Sequence, residues 1–187
     1  TGSKYCFLNI YAVAFTALSR EFCEALASAA DAAPGQFVAS MLKLLPRIYI
    51  AASDLQPSSQ TLVPEDEDAW LNPALDEQSY ESVRASIAAL MGENDVFLEV
   101  FEEDMKYSDT PVAASISESL ADIYQQLFNF IYTVSDTTDE IADSAILAVR
   151  ASFREFWSQT LLNVLRAVNH LWSAGEYTDY TDDECLD

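Results

Sequence analysis

The chain has 187 residues, half of them hydrophobic, with four glycines and six prolines, which favours one helical domain and excludes a turn-dense all-β fold. Its formal net charge of -22, from 31 acidic and 9 basic residues, argues against binding nucleic-acid phosphates and against docking on anionic membranes. What the charge permits is a protein partner with a basic surface, or no partner.

No stretch reaches the ~20 apolar residues that a membrane-spanning helix needs. The nearest, Tyr5 to Ser19, stops at Arg20. The three cysteines, Cys6, Cys23 and Cys185, match neither a disulfide framework nor a metal-ligand spacing. We therefore expect reduced thiols in a cytoplasmic protein.

The first predicted helix runs from about Lys4 to Ala30. Its main apolar stripe comprises Leu8, Tyr11, Phe15, Leu18, Phe22 and Leu26. Phe7, Ile10 and Val13 lie off this stripe, so the first half is apolar nearly all round. Because a helix that is apolar on every side is buried on every side, this half is either the central helix of a bundle or part of an oligomer interface.

The second predicted helix runs from Pro34 to about Ser53, and Pro46 inside it should kink or split it near Leu42 to Leu45. The segment that follows, Asp54 to Asp76, is long for a connection within a compact domain. Its acidic run, Glu65 to Asp68, is interpreted as a solvated loop, and Trp70 and Leu71 indicate that its second half is held against the body of the protein.

The third predicted helix runs from Glu77 to Met91 and ends at Gly92. Asp95 then either caps a short helix through Phe101 or precedes an extended segment, since Val and Phe are also strand formers. A fourth helix begins at Ser115 or Ser117 and ends near Val134. Its apolar stripe comprises Ile116, Leu120, Ile123, Tyr124, Leu127 and Ile131.

The stretch from Asp139 to Trp172 contains neither Gly nor Pro and is predicted as one long helix, antiparallel to the fourth, around which the fold is organised. Its apolar face comprises Ile146, Val149, Phe153, Phe156, Trp157, Thr160, Val164, Val168 and Leu171. Arg150 and Arg154 lie at the edge of this face, and we expect them to pair with carboxylates of a neighbouring helix. The last residues, Glu176 to Asp187, are predicted to form an acidic mobile tail.

Together these elements predict an all-α fold: residues 1–175 form a single-domain, bundle-like array of five or six helices with one long C-terminal helix. Patterns for a catalytic centre or a cofactor are missing from the sequence. Ala167 stands three residues before His170, where a di-iron bundle needs Glu, and the four glycines cannot be drawn as a phosphate loop. We therefore expect no cofactor and no metal, a surface position for His170, and a protein that is not an enzyme.

Several short motifs resemble those of an uncharacterised bacterial family, known only as a domain of unknown function. The longest, Glu118 to Tyr124, has the sequence Glu-Ser-Leu-Ala-Asp-Ile-Tyr. Similar elements are Ile48 to Ala52 with Leu55, Val100 to Glu102, Trp157, and Leu165 to Ala167. The chain departs from that family at Ser119, where the family has Asp, and at Phe156, where it has His. The resemblance implies a helical domain and no activity.

Two hypotheses for function follow. In the first, a non-enzymatic acidic helical protein engages a basic protein partner or self-associates. In the second, a helical domain binds or transforms a small ligand at a polar site comprising Asp122, Tyr124, Trp157 and Arg166. A pocket enclosing these four side chains would favour the ligand, and a flat acidic face with an apolar patch would favour the partner.

Overall fold

The structure is a computed structural model, and it describes residues 9–58, 69–99, 112–135 and 137–177. The elements are α1 (Ile10–Ala27), α2 (Pro34–Asp54), α3 (Glu77–Met91), β1 (Val96–Leu98), β2 (Ala113–Ser115), α4 (Ile116–Val134), α5 (Asp139–Ser152) and α6 (Ser158–Ser173). A π-helical turn, Phe153–Trp157, joins α5 to α6. The all-α class is confirmed, and β1 and β2 add one small antiparallel pair.

Helices α1, α3 and α4 begin at residues whose side chains accept from free backbone N–H groups. Asn9 accepts from the Ala12 N–H at 3.0 Å at the start of α1, and Asp76 accepts from the Ser79 N–H at 2.7 Å at the start of α3. Gly92 ends α3 with a φ of 56°, a left-handed conformation that favours glycine. The predicted bounds of the third helix, including its end at Gly92, are therefore confirmed.

Helix α4 is the centre of the fold, since it packs against α1, α3, α5 and α6. Its fully buried apolar residues are Ile116, Leu120, Ala121, Ile123, Leu127 and Phe130. The Phe130 ring meets the Phe15 ring of α1 edge to face, with 5.0 Å between the ring centroids. The prediction that the C-terminal helix organises the fold is therefore wrong.

Helix α1 is not a central helix either. Its face toward α2 and α4 is buried, but the side chains of Ile10 and Val13 are 78% and 53% exposed. Of the two alternatives for the first helix, the central one is thus wrong over the described residues. The physical reason is that α4 already fills the middle of the array, so among the described elements the neighbours of α1 lie on one side of it.

The C-terminal helix is long, as expected, but it changes its hydrogen bonding halfway. The Ser158 N–H bonds to the Phe153 carbonyl, five residues back instead of four. Because the turn holds an extra residue, the faces before and after it are offset. Trp157 is fully buried, whereas Phe156 is 52% exposed, so the prediction that Phe156 belongs to the apolar face is wrong.

Two other expectations concern α2 and the segment after it. Helix α2 continues through Pro46 to Asp54, so the predicted split does not occur. Beyond it, backbone N–H groups of the connection donate to side chains of α4 and α5: Ser58 to Asp143 (2.8 Å), Trp70 to Ser144 (3.1 Å), Asn72 to Thr133 (2.9 Å), and Ala74 and Leu75 to Asn129 (3.0 and 2.9 Å). These bonds confirm that the second half of the connection is held against the body.

The extended alternative is confirmed for Val96–Leu98, after a 3-10 turn at Gly92–Asp95. Cys23 is a free, buried thiol, and His170 is exposed. No helix in the described part of the chain is long and apolar enough to cross a membrane. Several predicted features lie outside the described residues: Cys6, Cys185, the acidic runs 65–68 and 102–104, the motif 100–102, and positions 178–187 of the tail.

Candidate functional site

Helices α3 and α4 meet along a polar seam, which we define by Tyr80, Glu81 and Arg84 on α3 and Glu118 and Asp122 on α4. A spacing of four residues places Tyr80 with Arg84 on one side of α3 and Glu118 with Asp122 on one side of α4, and Glu81 joins the set through Arg84. The Tyr80 hydroxyl donates to Asp122 Oδ1 at 2.8 Å. Both side chains are half-buried, so this bond is shielded from bulk water.

Burial controls the acid–base properties of this pair. Desolvation raises the pKa of Asp122 above its ordinary value, and the bond from Tyr80 opposes part of that rise. Desolvation and the Asp122 carboxylate both raise the pKa of Tyr80, so its hydroxyl keeps its proton and acts as a donor at neutral pH. The seam therefore offers one half-buried carboxylate held in place by one tyrosine.

Of the remaining charges of the seam, Arg84 and Glu81 compensate each other, and Glu118 adds one negative charge. The Arg84 guanidinium binds the Glu81 carboxylate with Nε at 2.8 Å and with its second nitrogen as well. This bond lowers the pKa of Glu81. Within the described part of the chain, no group of three His, Cys, Asp or Glu residues is arranged to hold a metal ion. The seam is therefore suited to hydrogen bonding.

Asp95 fixes the end of the seam that leads into the β1–β2 pair. Its two carboxylate oxygens accept from the N–H and the hydroxyl of Ser117, each at 2.7 Å. The carboxylate thus lies at the N-terminus of α4, where the helix dipole stabilises negative charge. This contact links the turn after α3 to the first turn of α4.

Trp157 belongs to a different network, inside the π turn. Its indole Nε1 donates to Ser152 Oγ at 3.1 Å, and Ser152 donates to Gln126 Oε1 of α4 at 3.0 Å. The Phe153 ring lies against the indole with 4.5 Å between the ring centroids. Trp157 is fully buried, so here it fills the core and satisfies its own polar group.

Tyr124 and Arg166 have other neighbours again. The buried Tyr124 ring packs beside Phe128, and burial raises the pKa of the Tyr124 hydroxyl. Tyr124 is two residues after Asp122, and two residues on a helix are about 200° apart, so the two side chains leave α4 in nearly opposite directions. Arg166 is exposed and donates to the Leu98 carbonyl of β1.

Asp122 therefore contacts α3, Trp157 makes its contacts at the π turn, and Arg166 contacts β1. A site that joins them with Tyr124 stays a prediction. The spacing of apolar residues on the third helix indicated a core position for Tyr80 and no polar role. The sequence also gave no sign of Ser152, whose hydroxyl links the side chains of Gln126 and Trp157. The only available signal for Tyr80 was its hydroxyl, which needs a partner once it is half-buried.

A second region, on α1, is apolar and exposed, whereas the seam is polar. We define the apolar face of α1 by its exposed side chains Ile10, Tyr11, Val13, Ala14 and Ala17. The sequence carries no charge from Asn9 to Ser19. The next exposed positions of the helix are charged: Arg20, Glu21 and Glu24. An uncharged patch thus borders a charged one, with two acids and one base, on the same helix.

Comparison with known proteins gives a family and a fold. The family model described as domain of unknown function DUF5063 matches residues 8–174. The crystal structure of protein BF1032 from Bacteroides fragilis, a structural-genomics target, is similar with a TM-score of 0.73 and 25% sequence identity, over 95% of this chain and 99% of that one. No curated protein matches.

Proposed function

The chain belongs to the DUF5063 family, and from that premise we propose that it is a non-enzymatic, acidic helical protein that binds a basic protein partner through the apolar face of α1. The family supplies a fold and no activity, so the proposal depends on the surface of this chain. We place the protein in the cytoplasm, where a reduced thiol such as that of Cys23 is the ordinary state.

The observation that carries the proposal is the exposure of three large side chains on the apolar face. Ile10, Tyr11 and Val13 are all exposed, within the first turn of one helix. Fully burying a side chain of this size contributes about 1.5–3 kcal/mol. The fold uses the opposite side of the helix for its core, so these residues contribute little to folding and are available to a partner.

Charge favours a basic partner over a second copy of the chain. Two molecules that each carry -22 repel one another, whereas a cationic surface is attracted to the acids that follow the apolar face. Glu24 is exposed there, and Glu21 is paired only at the surface, with Arg47 at 3.6 Å. A partner with apolar residues ringed by Lys and Arg would match this arrangement.

The test is co-purification of the tagged protein from its native cell, followed by mass spectrometry. We compare wild type with Val13→Asp, which puts a charge into the apolar face, and with the control Leu162→Asp, an exposed apolar residue of α6. We expect a basic protein that wild type and control retain, that Val13→Asp loses at least about tenfold, and that salt weakens.

Two outcomes would contradict the proposal. Equal capture by wild type and Val13→Asp would show that the apolar face is not the contact. Light scattering that gives a wild-type dimer, and a monomer for Val13→Asp, would show that self-association occupies the face instead.

A second function is supported by the Tyr80–Asp122 bond, since a half-buried carboxylate with a raised pKa is common in ligand sites. In this alternative a small polar ligand binds near Asp122, with Tyr124, Trp157 and Arg166 as the other predicted contacts. Nuclear magnetic resonance titration tests it with a screen of small polar metabolites. Shifts at all four residues, lost in Asp122→Asn, would favour the ligand, and shifts at Asp122 alone would reject the four-residue site.

A further inference from the structure

A cleft between α2 and α6 combines a cation, an amide and an exposed aromatic ring. Its volume is about 320 Å³, and it is lined by Ala39, Leu42, Lys43, Asn169 and Trp172. Spacings of three and four residues put the first three on one side of α2, and a spacing of three puts the other two on one side of α6. The cleft therefore has two helical walls, each with an apolar and a polar part.

The lining chemistry selects one kind of ligand. Trp172 is 46% exposed and offers an aromatic surface, and Ala39 and Leu42 supply apolar contact for a flat body. Lys43 supplies a positive charge with three donors, and Asn169 supplies a donor and an acceptor. From this arrangement we propose that the cleft binds a small planar organic anion, an aromatic carboxylate, with its ring against Trp172 and its carboxylate on Lys43.

The charge of Lys43 is notable in so acidic a chain. Within the described residues, the ion pairs formed by arginine or lysine are Arg47–Glu21 and Arg84–Glu81, so Lys43 keeps its charge for a ligand. Arg47, one turn further along α2, is held by Glu21 of α1 instead. The two cations are thus close in sequence and different in surroundings, which provides a matched control.

A larger hollow on the described surface lacks these features. It has a volume of about 630 Å³ and lies between α3 and the start of α2. Its lining is Ala29, Ala30, Pro34, Ser82, Ala85, Ser86, Ala89 and Leu90. These side chains carry no charge and no aromatic ring. The chemistry of this hollow selects no ligand. The chemistry of the cleft does, and the volume of the cleft lies at the small end of the usual range for ligand sites, ~300–1,000 Å³.

The probe is 2-naphthoate, with 2-naphthylmethanol as its neutral counterpart. Titration is followed by the indole N–H signals of Trp70, Trp157 and Trp172, assigned with single Trp→Phe variants. We expect 2-naphthoate to shift the Trp172 signal and to leave that of the buried Trp157 unchanged. Lys43→Gln should weaken binding about tenfold, which is ~1.4 kcal/mol, while Lys43→Arg and the control Arg47→Gln retain it.

Three results would overturn the proposal. The first is no shift of the Trp172 signal at millimolar 2-naphthoate. The second is equal affinity for the acid and the alcohol, which would mean that only the apolar wall binds. The third is equal weakening by Lys43→Gln and Arg47→Gln, which would reflect the overall charge of the protein instead of a contact in the cleft.

Discussion

Helix α4 and the first half of α1 are both rich in apolar residues, but they differ in how far neighbouring helices cover those residues. Apolar residues of α4 are covered by α1, α3, α5 and α6, whereas those of α1 are covered on one side and open on the other. Polar residues differ too. Those of α4, such as Asn129 and Thr133, bind the backbone of the connection after α2, while the exposed face of α1 has none before Arg20.

This difference shows that an apolar surface on every side of a helix does not identify the centre of a fold. A central helix needs neighbours all round, and it also needs polar groups that hold the surrounding loops in place. Helix α4 meets both conditions. The first half of α1 has described neighbours on one side, and its cap Asn9 donates to the Gln56 carbonyl at 2.8 Å. The partner proposed above would cover its remaining apolar residues.

The largest expected effect comes from the core of α4. Phe130→Ala removes a fully buried ring that packs on Phe15, and should lower the free energy of unfolding by about 3–5 kcal/mol. Urea unfolding followed by circular dichroism measures it. The control is Tyr132→Ala, two residues away and exposed, which should change stability by less than about 0.5 kcal/mol. Similar costs for both variants would mean that the side of α4 that carries Tyr132 is as buried as the side that carries Phe130.

The next effect tests the polar contacts of α4. Asn129→Ala leaves the N–H groups of Ala74 and Leu75 without their acceptor, which should cost about 1–3 kcal/mol in the same assay. Asn129→Asp replaces the amide oxygen with a carboxylate oxygen that can still accept both bonds, so this variant should retain most of the stability. If both variants were as stable as wild type, these bonds would not hold the connection in place.

A smaller effect depends on pH and concerns Asp122. Because burial raises its pKa in the folded state, the folded protein binds the proton more tightly than the unfolded chain. Wild type should therefore lose stability relative to Asp122→Asn as pH rises from the ordinary carboxyl range through the raised pKa. Above that range the difference should be constant. Unfolding curves across acidic pH measure it, and a difference that grows in favour of wild type would contradict the raised pKa.

The smallest effect is expected on the apolar face of α1. Val13→Ser removes an exposed side chain and should change the free energy of unfolding by less than about 0.5 kcal/mol. Phe15→Ala, two residues along the same helix and fully buried, should cost about 3–5 kcal/mol. A large cost for Val13→Ser would mean that its side chain is covered within the monomer.

The sequence predicts the helices well because their signals are local. Gly92 ends α3, Ser115 caps α4, and the stripe from Ile116 to Leu127 faces the core. Which helix is central was not predictable, since that depends on how many neighbours each one has. The Tyr80–Asp122 pair was also out of reach, because it joins two helices, and helical spacing alone does not show which faces meet.

The π turn at Phe153–Trp157 also limits what a helical wheel can predict. A regular wheel drawn from Asp139 places Phe156 on the apolar face, where the structure exposes it, although Trp157, Val164 and Val168 are buried as that wheel predicts. The surplus residue is contained in the π turn, so removing one residue there would restore a regular α-helical repeat in which Leu161, Val164 and Val168 continue the buried face of Val149 and Phe153. The fold should therefore tolerate a single deletion within this turn better than one in the regular turns beside it, where the rest of the helix would rotate by roughly 100°.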